Sequence, residues 1–592
     1  MGPVESFAAH LDLAIKAARA AGDLLRRDFQ RPLGPRGEGD KAPADTEAEQ
    51  IIRDILLGGS GDFGFLGEET GRIPGRPGAP IWVVDPNDGT RDYIKGRRGS
   101  SVSIALVFQR RPVLGVVHPF GYPDDAGPMY YAVDGREGVF KNGAPVHDTL
   151  PERLSELDVV LVSGGGDRAA RANLQCTKPA RVMSIPSIAH RLAKVAAGEA
   201  CATTSLYSPK TWDFAAGHCL LLAAGGARLD QHGQAPVYDD DAFGTSPRLF
   251  AGSRAVALEL STRNWDLAFR SERETSMPIA RLRKGQAVSD PLLLSRAQGA
   301  MLGLLVGSAL GVLGTDAQGR PLDLSTLEEA GRRRRLPPGQ SGPSGEVAVA
   351  AARSLLDLAS DAKGMRRAYA AWLDSSPEGV DRSMEAALRG QPLTDSLAAS
   401  ALARVTPLAL WSHAADPAIG ATKALEDAAL THPRAAAGQA AAILATILHA
   451  LLRGESGEGA FDAAHACARR SGHAGDVIQA VLDSADAPRP ARAAEEPDAL
   501  RVLRAALFHL RSTATFEVAL ESALTLGPAT DAMPAIVGAV MGARLGRDSI
   551  PERLRNLVLS CRPMDGLVAR PRPSAYWATD AMAMAEALLT AR

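Results

Sequence analysis

Asp85 and Asp88 stand three residues apart in Trp82-Val83-Val84-Asp85-Pro86-Asn87-Asp88-Gly89-Thr90-Arg91-Asp92-Tyr93. Two carboxylates so close repel one another unless a cation lies between them. Hard oxygen ligands of this kind suit Mg2+, above all where phosphate oxygens help to complete its shell. By itself a D-x-x-D pair fits a turn with solvated aspartates as readily as a metal site, so other acids must decide. The candidates are Glu68 and Glu69 in Phe65-Leu66-Gly67-Glu68-Glu69-Thr70, and Asp213 in Thr211-Trp212-Asp213-Phe214-Ala215-Ala216-Gly217. The elements that must position these acids are also predictable. The apolar run Ile81 to Val84 predicts a strand with Asp85 at its end, and Pro86 and Gly89 predict a turn beyond it. Phe65 to Gly67 predicts a shorter strand, and Asp213 opens a helix that runs to Ala223.

Together the three stretches resemble the signatures G-E-E, D-P-x-D-G-T and W-D-x-A-A-G of the inositol monophosphatase superfamily, Mg2+-dependent and lithium-sensitive phosphatases. The resemblance implies an α/β layered sugar-phosphatase fold (αβαβα) over residues 1–265 and a metal-dependent phosphoric monoester hydrolase. It implies a pair of Mg2+ ions, or three, held by Glu68, Asp85, Asp88, Asp213 and the backbone carbonyl of Asn87, with Asp85 bridging. The amides of Gly89 and Thr90 would bind phosphate. Lys41-Ala42-Pro43-Ala44-Asp45-Thr46-Glu47-Ala48-Glu49 resembles the family's T-x-A-D segment. Unaided, Asp45 reads as a helix N-cap; the resemblance instead makes it the partner of Thr90 in orienting the attacking water, with Glu68 as the third catalytic group.

The chain departs from the inositol-specific members of that superfamily. They carry a glutamate seven residues before the W-D aspartate, where this chain has Leu206. An apolar residue there leaves sugar hydroxyls unpaired, which costs binding. His218 after W-D-x-A-A-G resembles the 3'(2'),5'-bisphosphate nucleotidase branch. Arg91, Ser187, His190, Arg191 and Lys210 are candidates to meet the substrate, the cations among them a second phosphate, although each cation singly also fits a solvated charge. The expected substrate is a small phosphorylated metabolite, leaning to a nucleotide-type 3'- or 2'-phosphate, with inositol 1-phosphate as the alternative. A homodimer through this domain follows from the same resemblance.

At 592 residues the chain exceeds one core and predicts at least two domains. A net charge of −2 without concentrated basicity argues against a nucleic-acid partner. Cys176, Cys201, Cys219, Cys467 and Cys561 are odd in number and lack C-x-x-C spacing, which predicts reduced thiols, a cytoplasmic setting and no zinc site. No basic-then-apolar leader opens the chain. The apolar runs Gly299 to Gly314 and Ala435 to Leu452 predict buried helices and no membrane partner. Helical periods over Val4 to Gln30 and Ile188 to Ala197, a hairpin over Ser100 to Val117, and strands near Met129 to Val133, Asp158 to Ser163 and Ala202 to Leu206 predict an α/β layered domain. Residues 266–290 read as linker, after which alanine and leucine rise and strand signals stop.

The second half, 291–592, begins Arg296-Ala297-Gln298-Gly299-Ala300-Met301-Leu302-Gly303-Leu304-Leu305-Val306-Gly307-Ser308-Ala309-Leu310-Gly311. This resembles the R-x-x-G-x-L-x-G-x-A-x-G-D-A-L-G opening of the ADP-ribosylglycohydrolases, all-α enzymes with a binuclear Mg2+ site. Thr431-His432-Pro433 and the stretch Gly527 to Ala539 resemble later signatures of that family. Its metal residues are missing. The opening G-D is Gly307-Ser308, T-D-D-T falls at Gly342-Pro343-Ser344-Gly345, and D-x-D-T is Ala529-Thr530-Asp531-Ala532. One carboxylate cannot hold a metal pair, so a degenerate site of Ser308, Ser344 and Asp531 is expected, inactive as a glycohydrolase. Arg332 to Arg335 reads as a solvated loop or an anion-binding one. The alternative for the whole chain is a regulatory protein that binds ADP-ribose or another nucleotide, its phosphatase activity vestigial.

Overall fold

The computed structural model describes residues 7–238, 247–270, 284–314, 324–470, 498–512, 514–526 and 531–591, together with residues 272, 280, 282 and 482. These form two compact units divided at Ser289 and Asp290, apart from Ala280, which groups with the second unit.

The first unit begins with the helices α1 (Ala8–Phe29) and α2 (Pro43–Ser60). Its larger sheet holds β1 (Gly64–Gly67), β2 (Gly71–Ile73), β3 (Ile81–Asp88), β4 (Ser101–Phe108), β5 (Arg111–His118), β6 (Tyr130–Val133), β7 (Arg136–Lys141) and β8 (Ala144–Val146), in the order β2-β1-β3-β4-β5-β6-β7-β8. The β4–β5 turn uses Gln109 and Arg110, both at positive φ, as a two-residue hairpin requires. Val102, Ile104 and Leu106 of β4 join Leu11, Ala18, Ala48 and Ile52 of α1 and α2 in one core. The opposite face meets α6 (Thr211–Ala223): Ser103 Oγ donates to the Trp212 carbonyl at 2.9 Å, and a Cβ on Gly115 would meet Ala216 and Cys219. Burial on both faces explains why β4 is apolar almost throughout.

The smaller sheet comprises β9 (Val159–Val162), β10 (Arg181–Ser184), β11 (Ala202–Ser205), β12 (Ala227–Leu229) and β13 (Leu249–Gly252), in the order β10-β9-β11-β13-β12. Between β3 and β4 lies the single turn α3 (Thr90–Tyr93). On one side of the smaller sheet α5 (Ile188–Ala196) packs with α6; on the other, α4 (Ala170–Thr177), α7 (Arg254–Ser261) and α8 (Trp265–Arg270) close a second core around Val160, Ala202 and Phe250. The layers therefore read helix, sheet, helix, sheet, helix, as the α/β layered fold requires. Helix α8 falls where irregular linker was expected. Trp265 explains it, being buried with Nε1 donating to the Leu260 carbonyl at 2.8 Å.

In the second unit the described elements are helices. Helix α9 (Pro291–Leu313) is capped by Asp290, whose side chain accepts from the amides of Leu292 and Leu293. It lies against the helix Ala532–Leu545 with glycine facing backbone: a Cβ on Gly299, Gly303 or Gly307 would strike the carbonyl of Gly542, Gly538 or Pro534. Helix α9 and the helix Ala435–Leu452 are long and apolar enough to cross a membrane, yet 89% and 94% of their most apolar windows are buried inside the protein. Arg332, Arg333 and Arg334 close the helix α10 (Leu324–Arg334), and Arg335 ends it at φ 58. The expected solvated loop is thus a helix C-terminus, where cations suit the dipole.

Candidate functional site

Strand β3 carries both aspartates of the D-x-x-D pair. Its register with β4 pairs Asp85 with Ser103 and then Asp88 with Ser101, so it slips by one residue in a β-bulge. On a regular strand, residues at odd spacing point to opposite faces. The extra residue re-aims one of them, which lets Asp85 and Asp88 approach the same side. Pro86, with no N–H to give the ladder, suits the bulge. The expected turn after Asp85 is therefore a continuation of the strand to Asp88. The reversal comes at Gly89, φ 107, a value that favours glycine.

Each acid is oriented by the fold. Asp85 Oδ1 accepts from the Asn87 amide at 2.8 Å, and Asp213 Oδ2 accepts from the Lys210 amide at 2.8 Å. Asp88 Oδ2 accepts from Ser187 Oγ and the Ala189 amide, each at 2.7 Å. The Glu68 carboxyl lies within hydrogen-bonding reach of Asp85, while the Glu68 amide donates to the Val84 carbonyl at 3.2 Å. One carboxylate oxygen of each aspartate is thus held.

Electrostatics reports the crowding. Burial, and then the charges of its neighbours, pushes Glu68 up to about 7. Burial raises Asp88 to about 6 against its hydrogen bonds. Asp85 and Asp213 rise well above the ordinary carboxylate range, through burial first; the charges of Glu68, Asp88 and Asp213 add to Asp85, and those of Asp88 and Glu68 add to Asp213. The donor chemistry and this repulsion both fit a divalent cation. Asn87 Oδ1 adds a buried acceptor with no hydrogen-bond partner among the described residues. No three Asp, Glu, His or Cys side chains among the described residues form a ready-made metal shell. Mg2+ needs none, since it keeps several waters and takes one or two carboxylates together with phosphate oxygens.

Asp45 lies in the third position of α2, with Ala42 at the N-cap and Pro43 opening the helix. It is therefore no cap. Its Oδ1 accepts from Asn87 Nδ2 at 2.8 Å and its Oδ2 from Thr90 Oγ1 at 2.9 Å. Thr90 Oγ1 also lies 2.9 Å from the Asn87 carbonyl. A hydroxyl carries one proton, so when Thr90 gives it to Asp45 the Asn87 carbonyl is released for another partner. Burial pushes Asp45 up to about 7, against the hydrogen bonds from Asn87 and Thr90. Gly89 and Thr90 open only the single turn α3, so any helix-dipole contribution at a phosphate there is small.

The substrate candidates divide. Arg91 is exposed and pairs with Asp40 at 3.3 Å. Lys210 is exposed at the N-cap of α6. Ser187 is buried, and its hydroxyl caps α5 and contacts Asp88 and Ser101. His190 and Arg191 face inward, and the Arg191 charge acts on Asp88 and Asp213. His190 is buried beside the Tyr122 and Tyr130 rings and held neutral, its value lowered to about 3 chiefly by burial. Arg191 is about 1% exposed, with Nη1 donating to the Thr204 carbonyl and Nε to that of Ser187.

Sequence reasoning passed over two contacts. The Asn87 side chain holds Asp45, and Glu49 of α2 holds the turn after Glu68. Glu49 follows Asp45 by four residues, hence on the same helix face, a spacing that could have flagged it.

In the second unit, Ser308, Ser344 and Asp531 meet. Ser308 Oγ donates to Asp531 Oδ2 at 2.8 Å, the Ser344 amide donates to the same oxygen at 2.7 Å, and Ser344 Oγ donates to Oδ1 at 3.0 Å. The amides of Gly342 and Gly345 in turn donate to Ser308 Oγ. Both carboxylate oxygens are occupied by protein donors. Nearby on the same segment, Glu346 forms an ion pair with Arg572 and accepts from Trp372 Nε1. Residues 527–530 of the late signature lie outside the described residues.

A bulged strand delivers paired acids between helices that orient them, an arrangement suited to a metal-dependent phosphatase. Residues 8–268 match the model of the inositol monophosphatase family, and residues 289–591 match that of ADP-ribosylglycohydrolase. An inositol-1-monophosphatase of Mesorhizobium japonicum is 31% identical over 245 residues, covering 39% of this chain and 88% of the relative. The 3'(2'),5'-bisphosphate nucleotidase CysQ of Shigella flexneri is 30% identical over 237 residues, covering 38% of this chain and 92% of the relative. The crystal structure of the extragenic suppressor protein SuhB from Bartonella henselae superposes with a TM-score of 0.36 at 27% identity, over 45% of this chain and all of that one. The chain belongs to the inositol monophosphatase family through its first half and to the ADP-ribosylglycohydrolase family through its second.

Proposed function

We propose that the first unit is a Mg2+-dependent phosphomonoesterase whose substrate is a small nucleotide-type 3'- or 2'-phosphate. The observation that carries the metal reading is the orientation of Asp85, Asp88 and Asp213, each with one oxygen held by a backbone amide. These residues, with Glu68 and the Asn87 carbonyl, would hold a pair of cations. When bound, the metal supplies an acidified water and neutralises charge at the phosphoryl oxygens. The chain itself supplies the proton path. Thr90 takes up the attacking water's proton as it passes its own to Asp45, whose value near 7 suits a base at neutral pH.

The nucleotide reading rests on the loop before α6. Leu206 stands where an inositol enzyme needs an acceptor, Tyr207 beside it is 81% exposed, and Lys210 follows. A flat ring for a base to stack on and a cation for a second phosphate fit a nucleotide better than a polyol. The second unit, with Asp531 locked by serines, is read as inactive in glycosidic cleavage.

Phosphate release from adenosine 3',5'-bisphosphate, NADP and inositol 1-phosphate would be compared in the full-length protein with Mg2+. A nucleotide preference is expected, and a clear preference for inositol phosphate would overturn the substrate reading. Asp85→Asn should lower turnover by roughly 100-fold or more while the protein stays folded. Undiminished release by that variant would end the metal reading.

A further inference from the structure

We infer that Glu49 is a positioning residue, which fixes the turn bearing Glu68 and so sets Mg2+ affinity. The inference rests on the Mg2+ reading of the first unit and names a residue outside the acid set.

Glu49 is fully buried in α2. Its Oε2 accepts from the Glu69 amide at 2.9 Å, and its Oε1 accepts from the Thr70 amide at 2.7 Å and from the Thr70 hydroxyl. Both oxygens are thus spent on the two residues that follow Glu68. On the other side of Glu68, a Cβ at Gly67 would run into the same carboxylate. A residue with a side chain there would force Glu49 away, so the glycine before Glu68 is explained by this approach. The Glu68 amide is meanwhile tied to the Val84 carbonyl, one residue before Asp85. The backbone around Glu68 is therefore gripped from both flanks, while its side chain is left to face Asp85. Asp45 and Glu49 lie one helical turn apart. Helix α2 thus grips both acid-bearing segments, Asn87–Thr90 through Asp45 and Glu68–Thr70 through Glu49.

Glutamine at position 49 has the same length but only one acceptor oxygen. It satisfies one of the two amides and turns an N–H toward the other, so the turn must shift. Residues that orient a metal ligand in this way cost about 10- to 100-fold in metal affinity or activity when changed.

The test uses the full-length protein. Mg2+ binding without substrate would be measured by titration calorimetry, alongside phosphate release as a function of Mg2+. Glu49→Gln is expected to weaken Mg2+ binding about tenfold or more, while kcat at saturating Mg2+ and the substrate KM stay near those of the unaltered protein. Thr70→Val, which removes only the hydroxyl donor, should weaken binding about two- to tenfold and decides the matter if Glu49→Gln does not fold. Unchanged Mg2+ affinity in a folded variant overturns the inference. So does a loss of kcat that no Mg2+ concentration restores, since that is the mark of a merely structural role. Failure of the unaltered protein to take up Mg2+ would remove this inference and the reading beneath it together.

Discussion

Burial pushes Asp45 and Glu68 up to about 7 and Asp88 up to about 6 in the metal-free protein. A carboxyl whose folded value is raised binds its proton more tightly folded than unfolded. Its contribution to stability is therefore complete below about pH 4 and is lost as pH rises through 6 to 7. The buried histidines act in the opposite sense. His118, lowered to about 4, and His190 and His218, lowered to about 3, contribute fully above pH 6.5 and lose that contribution as pH falls toward those values. Comparing melting temperatures with and without Mg2+ at one pH cancels the histidines. The Mg2+-induced rise should be larger at pH 8 than at pH 6, because binding must displace protons at the lower pH. Equal rises would mean that these acids do not hold the ion. At this scale much of the site was legible. The resemblance of three short stretches to family signatures picked out Glu68, Asp85, Asp88 and Asp213, and the structure brings them into mutual electrostatic range. That His190 and Arg191 are buried was not legible, because a side chain's direction on a helix is set by packing, which a single sequence does not print.

The elements were mostly predictable where apolar periodicity was strong, as in α1, α5 and the β4–β5 hairpin. The bulge in β3 was not. It depends on registering β3 against β4, a relation between distant segments, whereas Pro86 alone spoke for a turn. The second unit gives an element-scale prediction. Each glycine at the crossing of α9 with Ala532–Leu545 faces a carbonyl of the other helix. Gly303→Val should force the helices apart at a cost of about 1–3 kcal/mol or more, seen as a melting temperature several degrees lower. A melt indistinguishable from that of the unaltered protein would show that the seam can relax. Valine in an exposed turn such as Gly78, where a Cβ would meet nothing, tests positive φ alone and not crowding.

Across the whole chain, the first unit groups Glu68, Asp85, Asp88 and Asp213, whereas in the second Asp531 is met by Ser308 and Ser344. Full-length protein should release no ADP-ribose from ADP-ribosylated substrates, and Asp531→Asn should leave phosphate turnover within about twofold, an energy difference under ~0.5 kcal/mol. ADP-ribose release that Asp531→Asn abolishes would show the serine-locked carboxylate to be catalytic after all. The resemblance pointed to Ser308, Ser344 and Asp531 together; that the serines tie up both oxygens of Asp531 could not be seen in the sequence. Asp88 carries a last consequence. It ends a strand of the larger sheet, yet its carboxylate is gripped by Ser187 and Ala189, where α5 sets out from the smaller one. A cation seated there would rivet two separate sheets. Filling the site should therefore slow amide deuterium exchange along the first turns of α5, in residues that touch neither ion nor substrate.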